Sequence, residues 1–303
     1  MIPTREVERA SYFMLKIAAY HSPATLTEAV ALLAEEGRTV IAGGTDLLVN
    51  PRYMVGVREV VDIHRLELDD IQVKDGWLYI GAGATMRTVA QNSRIQALAN
   101  GILARGAAVC GSPNIRNMAT LVGNVASALP SADTPPALLA LDAQAILIGT
   151  HGERSVPLDT FFIGPAKSVR DRELIREIRV PLTEGDWHGG FYKIGRTAED
   201  ISVVNAATTL LIQEGIIQSA RLVMGAVAPI PLRAREAEQA LLGQPAVEET
   251  FQRIGEIVRS EVQPISDHRA SAEYRRRMSG IAAVRALRQA AGLAPRGEEW
   301  LHV

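Results

Sequence analysis

Two glycine-containing motifs carry the groups in this chain that could bind a ligand. The first motif is residues 42–47, Ala-Gly-Gly-Thr-Asp-Leu, and the second spans residues 120–133 around Gly123. Glycine has no Cβ, so the backbone N–H groups beside it can turn toward an anion and approach it closely. Two such motifs suit a diphosphate held from two sides, and therefore a dinucleotide. Glycines after strands also form simple chain reversals, so neither motif decides the matter alone.

The common signatures of catalysis and metal binding are missing from the sequence. Neither motif fits the dinucleotide fingerprint G-x-G-x-x-G, and the phosphate-binding pattern G-x-x-x-x-G-K-[ST] does not occur. The six histidines lie far apart without zinc-ligand spacing, and the nucleophile pattern G-x-S-x-G is not found. We therefore predict no catalytic side chain and no metal site.

Charge and cysteine content narrow the partners and the location. The 303 residues include 32 basic and 34 acidic side chains, which gives no electrostatic footprint for nucleic acid. Cys110 is the one cysteine, so the chain cannot ligate an iron–sulfur cluster by itself, and its apolar surroundings predict an inert thiol. No apolar run is long enough to span a membrane, and the N-terminus lacks a signal-peptide pattern. We expect a cytoplasmic protein that binds no nucleic acid and has no membrane span.

The elements that must position the two motifs predict a mixed α+β fold. Thr25 and Glu28 have capping-box spacing and begin a helix, after which residues 40–42 form a strand that enters the first motif. Residues 71–80 predict a β-hairpin around Asp75-Gly76 with a type I′ turn. Further along, three antiparallel strands are predicted near residues 191–193, 206–212 and 221–227, followed by helices. We divide the chain into an N-terminal extension, 1–17, and two domains, 18–185 and 186–303.

Six ordered blocks give the sequence a family resemblance. The chain resembles the flavin-binding subunit of the molybdenum hydroxylases, which include CO dehydrogenase and the bacterial xanthine, nicotinate and aldehyde dehydrogenases. The matching blocks are residues 20–29, 42–47, 112–120, Asp133, 158–165 and 271–275. They run through nearly all of residues 18–292.

The resemblance implies a fold, a cofactor and a set of binding residues. The fold is a p-cresol methylhydroxylase-type FAD-binding domain followed by a three-stranded antiparallel sheet packed with a helical bundle. The cofactor is FAD, bound non-covalently. The residues implied to bind it are Ala42, Gly43, Gly44, Thr45, Asp46, Leu47, Thr120, Gly123, Asn124, Ser127, Asp133 and Ile201.

The implied residues have different roles. Backbone N–H groups of residues 43–45 and Gly123, with the Thr120 hydroxyl, are expected to enclose the diphosphate. Asn124, Ser127 and Asp133 are expected to bond ribityl or ribose hydroxyls. The segment from Lys193 to Ile201 is expected to face the flavin ring, with Ile201 in contact.

Two positions depart from the family pattern. Val122 stands where the second motif usually has a first glycine, and a β-branched residue does not tolerate a positive φ. Ile201 stands where CO dehydrogenase relatives often have an aromatic residue, as it does in xanthine dehydrogenase-like members. The second departure favours a xanthine dehydrogenase-like subunit.

The function implied by the resemblance is electron transfer. An iron–sulfur small subunit with [2Fe–2S] centres would supply electrons, and FAD would pass them to an external acceptor. The substrate would react at the molybdenum cofactor of a large subunit, in a dimer of heterotrimers. Two alternatives stay open: a self-contained flavin oxidoreductase of the same fold, and a non-catalytic protein that has lost FAD. The intact Gly43-Gly44 and Gly123-Asn124 pairs argue against the last.

Overall fold

The computed structural model describes residues 17–50, 53 and 55–293. All but the last residue of the predicted N-terminal extension, 1–17, therefore lies outside the described residues. The described chain begins with a small parallel sheet in which β3 lies between β1 and β2. Its strands are β1 (Ala19–His21), β2 (Arg38–Ile41) and β3 (Glu59–Asp62). The carboxyl end of β2 leads directly into the first glycine motif.

A five-stranded antiparallel sheet forms the body of the first domain, in the order β4-β5-β10-β6-β7. The hairpin of β4 and β5 is confirmed, and Asp75 (φ 49°) and Gly76 (φ 77°) have the two positive φ angles of a type I′ turn. The central strand, β10, was not predicted. The strands are β4 (Ile71–Lys74), β5 (Trp77–Gly81), β6 (Gln144–Gly149), β7 (Gly152–Pro157) and β10 (Leu174–Pro181). A short pair, β8 (Phe162–Gly164) and β9 (Lys167–Ser168), precedes β10.

Short helices cover this sheet. The predicted cap of the first helix is confirmed, because Thr25 Oγ1 accepts a hydrogen bond from the Glu28 N–H. Pro135 lies in the first turn of α7, where its missing N–H costs no helical hydrogen bond. The helices are α1 (Leu26–Leu33), α2 (Met86–Gln91), α3 (Ser93–Ala97), α4 (Ile102–Ala108), α5 (Pro113–Met118), α6 (Leu121–Ala126), α7 (Thr134–Ala140) and α8 (Leu158–Phe161).

The second domain is an antiparallel sheet covered by helices, and its strand count corrects our prediction. The sheet has four strands and not three, because a two-residue strand pairs with the edge of the third. So short a segment shows no alternation of apolar and polar residues, which is why the sequence did not reveal it. The strands are β11 (Trp187–Ile194), β12 (Val204–Gln213), β13 (Ile216–Gly225) and β14 (Leu232–Arg233). The helices are α9 (Arg235–Leu241), α10 (Glu248–Glu261) and α11 (Ala272–Ala290).

Each domain has its own apolar core, and the two cores meet. Phe191, Ala207 and Val223 belong to strands of the second domain, yet their side chains are buried in the core of the first. The second core is formed by the other face of the same sheet and by the three C-terminal helices. This contact fixes the second domain against the first domain near the glycine motifs.

Among the described residues, no helix is both long and apolar enough to cross a membrane. The cytoplasmic location stays a prediction.

Candidate functional site

A cavity of about 440 Å³ lies at the carboxyl end of β2. All twelve residues implied by the sequence resemblance line it, although they come from four separate parts of the chain. The segment 199–201, from the second domain, forms part of its wall. The fold therefore brings the predicted residues together in a single place.

The first motif offers a row of unpaired donors to this cavity. The N–H groups of residues 43–47 donate to no group among the described residues, and all five residues line the cavity. Gly44 has a φ of 67°, a left-handed conformation that favours glycine. Buried or half-buried N–H groups without partners are rare, so a row of them indicates an anionic ligand.

Position 43 requires a glycine because the backbone of Met118 lies directly against it. A Cβ built on Gly43 would lie 1.9 Å from the carbonyl oxygen of Met118, which is far inside van der Waals contact. Met118 ends α5 and precedes Thr120, so this contact presses the first motif against the start of the second. The absence of a side chain thus lets the two motifs form one binding surface.

The second motif corrects one of our predictions. The motif begins with the helix α6, whose N-cap residue is Thr120. The Gly123 N–H donates to Thr120 Oγ1 at 2.9 Å, so it does not have a free proton for a phosphate. The Thr120 hydroxyl proton is left free to point to a ligand, because the oxygen serves only as an acceptor. Val122 lies within this helix, which explains why a β-branched residue is tolerated there.

Ser127 and Asn124 have protein partners as well as positions in the cavity wall. Ser127 Oγ donates to Asp46 Oδ2 at 2.7 Å and so connects α6 to the first motif. Asn124 Oδ1 accepts from the Thr134 hydroxyl at 2.6 Å. The Asn124 amide nitrogen has no partner among the described residues and keeps its donors for a ligand.

The structure places Asp133 in a buried ion pair that we did not predict. Lys193 Nζ donates to Asp133 Oδ2 at 2.8 Å, and Oδ1 accepts hydrogen bonds from Ser202 and Asn205. Burial raises the pKa of the Asp133 carboxyl, while Lys193 and the two neutral donors act in the opposite direction. The carboxylate oxygens are thus bonded within the protein, and Lys193 lies behind Asp133 and not on the cavity wall.

Two family models match the chain in succession. The model described as the FAD binding domain in molybdopterin dehydrogenase matches residues 13–183, more than half of the chain. The chain belongs to the FAD-binding subunits of the molybdenum hydroxylase family. A second model, the CO dehydrogenase flavoprotein C-terminal domain, matches residues 190–290 of this flavoprotein.

Curated relatives and solved structures agree with this assignment. The flavoprotein is 35% identical over 273 residues to the xanthine dehydrogenase FAD-binding subunit of Escherichia coli O157:H7, which covers 86% of this chain and 92% of that one. It is 30% identical to the carbon monoxide dehydrogenase medium chain of Hydrogenophaga pseudoflava, with 89% and 96% covered. A chain in a solved structure of carbon monoxide dehydrogenase from that organism matches with a TM-score of 0.85 and 31% identity, covering 91% and 98%. The predicted α+β fold is confirmed, apart from the strand count.

FAD is the cofactor of this oxidoreductase family, and the cavity fits it. The unpaired N–H groups of residues 43–47 and the Thr120 hydroxyl form a polar region suited to the diphosphate. Val40, Ile63 and Ile175 give another part of the wall an apolar surface suited to the flavin ring. When bound, FAD supplies the redox chemistry that the chain's own side chains lack.

Several cavity residues were missed by sequence reasoning. Leu174 and Ile175 begin the unpredicted strand β10, which the apolar residues at 174, 175, 178 and 180 could have revealed. Arg170 precedes that strand and has no local sequence signal, because a single arginine in a loop is ordinary. Tyr53 lines the cavity and its hydroxyl donates to the carbonyl oxygen of Ser127.

Cys110 lines the cavity, and burial raises its pKa to about 12. Only about one thiol in 10⁴ is ionised at pH 8 with such a pKa, and the thiolate is the reactive form. We expect iodoacetamide to label Cys110 in the native protein at least ~100-fold more slowly than in the urea-unfolded chain at the same pH. Rapid labelling of the native protein at pH 8 would contradict the inert thiol that both sequence and burial indicate.

Proposed function

We propose that this flavoprotein transfers electrons from [2Fe–2S] centres of a small partner subunit, through FAD, to an external acceptor. A molybdenum-cofactor large subunit would hydroxylate the substrate, and the three chains would assemble as a dimer of heterotrimers. The observation that best supports this proposal is the cavity, which brings together the twelve residues implied to bind FAD. Among the described residues, no cluster of side chains could ligate a metal ion.

The proposed roles of the chain's residues follow from their contacts. The N–H groups of residues 43–47 and the Thr120 hydroxyl hold the diphosphate, and the Asn124 amide bonds a ribityl or ribose hydroxyl. Asp46 and Ser127 hold the two motifs together through their mutual hydrogen bond. Ile201, which is 56% exposed, packs against the flavin ring at the open side of the cavity. Asp133 keeps the wall in place through the ion pair with Lys193.

A xanthine dehydrogenase-like complex is favoured over a CO dehydrogenase-like one. The support is the higher identity to the xanthine dehydrogenase subunit, 35% against 30%, and the aliphatic Ile201. The single cysteine also requires that any iron–sulfur centre belong to another chain.

A turnover experiment separates the subunit function from that of a self-contained flavin oxidoreductase. We expect the isolated chain, loaded with FAD, to oxidise no purine, aldehyde or aromatic heterocycle, because in this proposal the molybdenum cofactor that hydroxylates them is bound by another subunit. The same chain co-purified with its iron–sulfur and molybdenum partners should turn over one of these substrates. If NAD⁺ is the acceptor, the isolated chain should still oxidise NADH with an artificial dye. Substrate hydroxylation by the isolated, molybdenum-free chain would refute the proposal and favour the self-contained enzyme.

A further inference from the structure

Arg170 is the one cation among the described residues that line the cavity. The same wall carries four carboxylates, those of Asp46, Asp133, Glu199 and Asp200. FAD is itself an anion, and its ring gains a further negative charge when it is reduced to the anionic form. Lys193 and Arg196 pair with two of these carboxylates from outside the wall, and Arg170 is the one basic side chain on the described wall itself.

The guanidinium of Arg170 has few partners inside the protein. Its Nη1 donates to the carbonyl oxygen of Glu173 at 3.3 Å, and its Nε is buried without a partner among the described residues. The Glu173 carboxylate is bonded instead by Arg154, with both contacts at 2.7 Å. Burial lowers the pKa of Arg170, and the charge of the nearby Glu173 carboxylate acts in the opposite direction. The Arg170 side chain makes no hydrogen bond to a carboxylate among the described residues, and its buried Nε is unpaired, so its place in a ligand cavity indicates a role toward the ligand.

The other basic residues expected near the flavin are already paired. Lys193 donates to the buried Asp133. Arg196 is largely exposed and donates to Asp200 at 2.8 Å. Neither residue is part of the cavity wall. The positive charge near the flavin therefore comes from outside the segment that the sequence singled out.

The surroundings of Arg170 distinguish between the parts of FAD. Leu174 and Ile175 follow it in the chain and line the cavity with apolar side chains. The diphosphate already has its donors in the first motif and Thr120. An apolar wall suits the flat flavin ring, whose N1–C2=O edge carries the negative charge of the reduced form.

We propose that Arg170 contacts the N1–C2=O edge of the flavin ring and stabilises its reduced, anionic form. Two electrons from a reductant and one proton from the medium give the ring one net negative charge, and Arg170 places its positive charge beside it. The proposal rests on FAD as the cofactor and is independent of the partner subunits proposed above.

The test is a spectroelectrochemical titration of the isolated full chain with bound FAD, in which an electrode supplies the electrons. Arg170→Met should bind reduced FAD at least tenfold less tightly relative to oxidised FAD, which lowers the two-electron midpoint potential by about 30 mV or more. Arg170→Lys keeps a charge and should recover part of this shift. Arg172→Met is the matched control, because Arg172 lies two residues away, is exposed and donates to the Ala34 carbonyl oxygen. Its potential should equal that of the wild type.

A measurement on the wild type covers the case in which Arg170→Met does not fold. The pH at which the reduced, bound flavin takes up its second proton should lie below that of free reduced FAD, because Arg170 favours the anion. An equal or higher value would overturn the proposal. So would an unchanged potential in Arg170→Met with full FAD content. A salt-dependent loss of FAD affinity at unchanged potential would also overturn it, since that result places Arg170 at the diphosphate.

Discussion

Gly43→Ala should abolish tight FAD binding while leaving most of the chain folded. The added Cβ would lie 1.9 Å from the Met118 carbonyl oxygen and 2.6 Å from its carbon, both of them backbone atoms that cannot rotate away. The first motif must therefore move away from Thr120, which separates the two halves of the diphosphate site. We expect at least a tenfold loss of FAD affinity, with a loss of unfolding free energy of about 1–3 kcal/mol from overpacking.

Isothermal titration with FAD and thermal unfolding by circular dichroism measure the two effects. Gly76→Ala is the control: Gly76 has a φ of 77° in the turn between β4 and β5, and a Cβ there meets no atom within 4 Å. It should lose some stability through the left-handed backbone but bind FAD normally. If Gly43→Ala binds FAD as tightly as the wild type, the close contact between Gly43 and Met118 is not needed to form the FAD site.

Lys193→Met should destabilise the folded chain by about 3–5 kcal/mol, because it leaves the Asp133 carboxylate buried without its counter-ion. Both side chains are almost fully buried, and they join the two domains across 60 residues of sequence. Adding Asp133→Asn to this variant removes the unpaired negative charge. If the two residues are coupled, the double variant should regain part of the unfolding free energy that Lys193→Met loses. Urea unfolding of the two single variants and the double variant gives the coupling free energy.

The pH dependence of Lys193→Met gives a second measurement. Without Lys193, burial raises the pKa of Asp133 in the folded state above its value in the unfolded state. The folded variant then binds a proton more tightly, so its stability is greatest below the unfolded pKa and falls as pH rises through the folded pKa. We expect Lys193→Met to be more stable at pH 5 than at pH 8 relative to the wild type.

Arg235→Met serves as the control for the buried pair. Arg235 donates to Asp159 at 2.7 Å and also joins the two domains, but both side chains are about half exposed. An exposed ion pair contributes little, so this variant should lose less than about 1 kcal/mol. A similar loss in Lys193→Met would mean that the Asp133–Lys193 pair contributes no more than a surface contact.

The sequence alone determined the local features of this protein. The capping box at Thr25, the type I′ turn at Asp75-Gly76 and the two glycine motifs depend on residues within a few positions of one another, so their patterns are legible in a single chain. The ordered blocks also identified the family, and the family resemblance implied twelve of the residues that line the cavity. These conclusions needed no knowledge of which distant segments meet.

Only the tertiary structure decided the contacts that give those residues their roles. Gly43 is needed because Met118 lies against it, and Lys193 is committed to Asp133 and not to the flavin ring. Arg170 is the cation of the described cavity wall because strand β10 inserts between β5 and β6. Each of these contacts joins residues far apart in sequence. Periodicity and motif spacing report on neighbours along the chain, whereas the partner of a buried charge depends on how the whole chain packs.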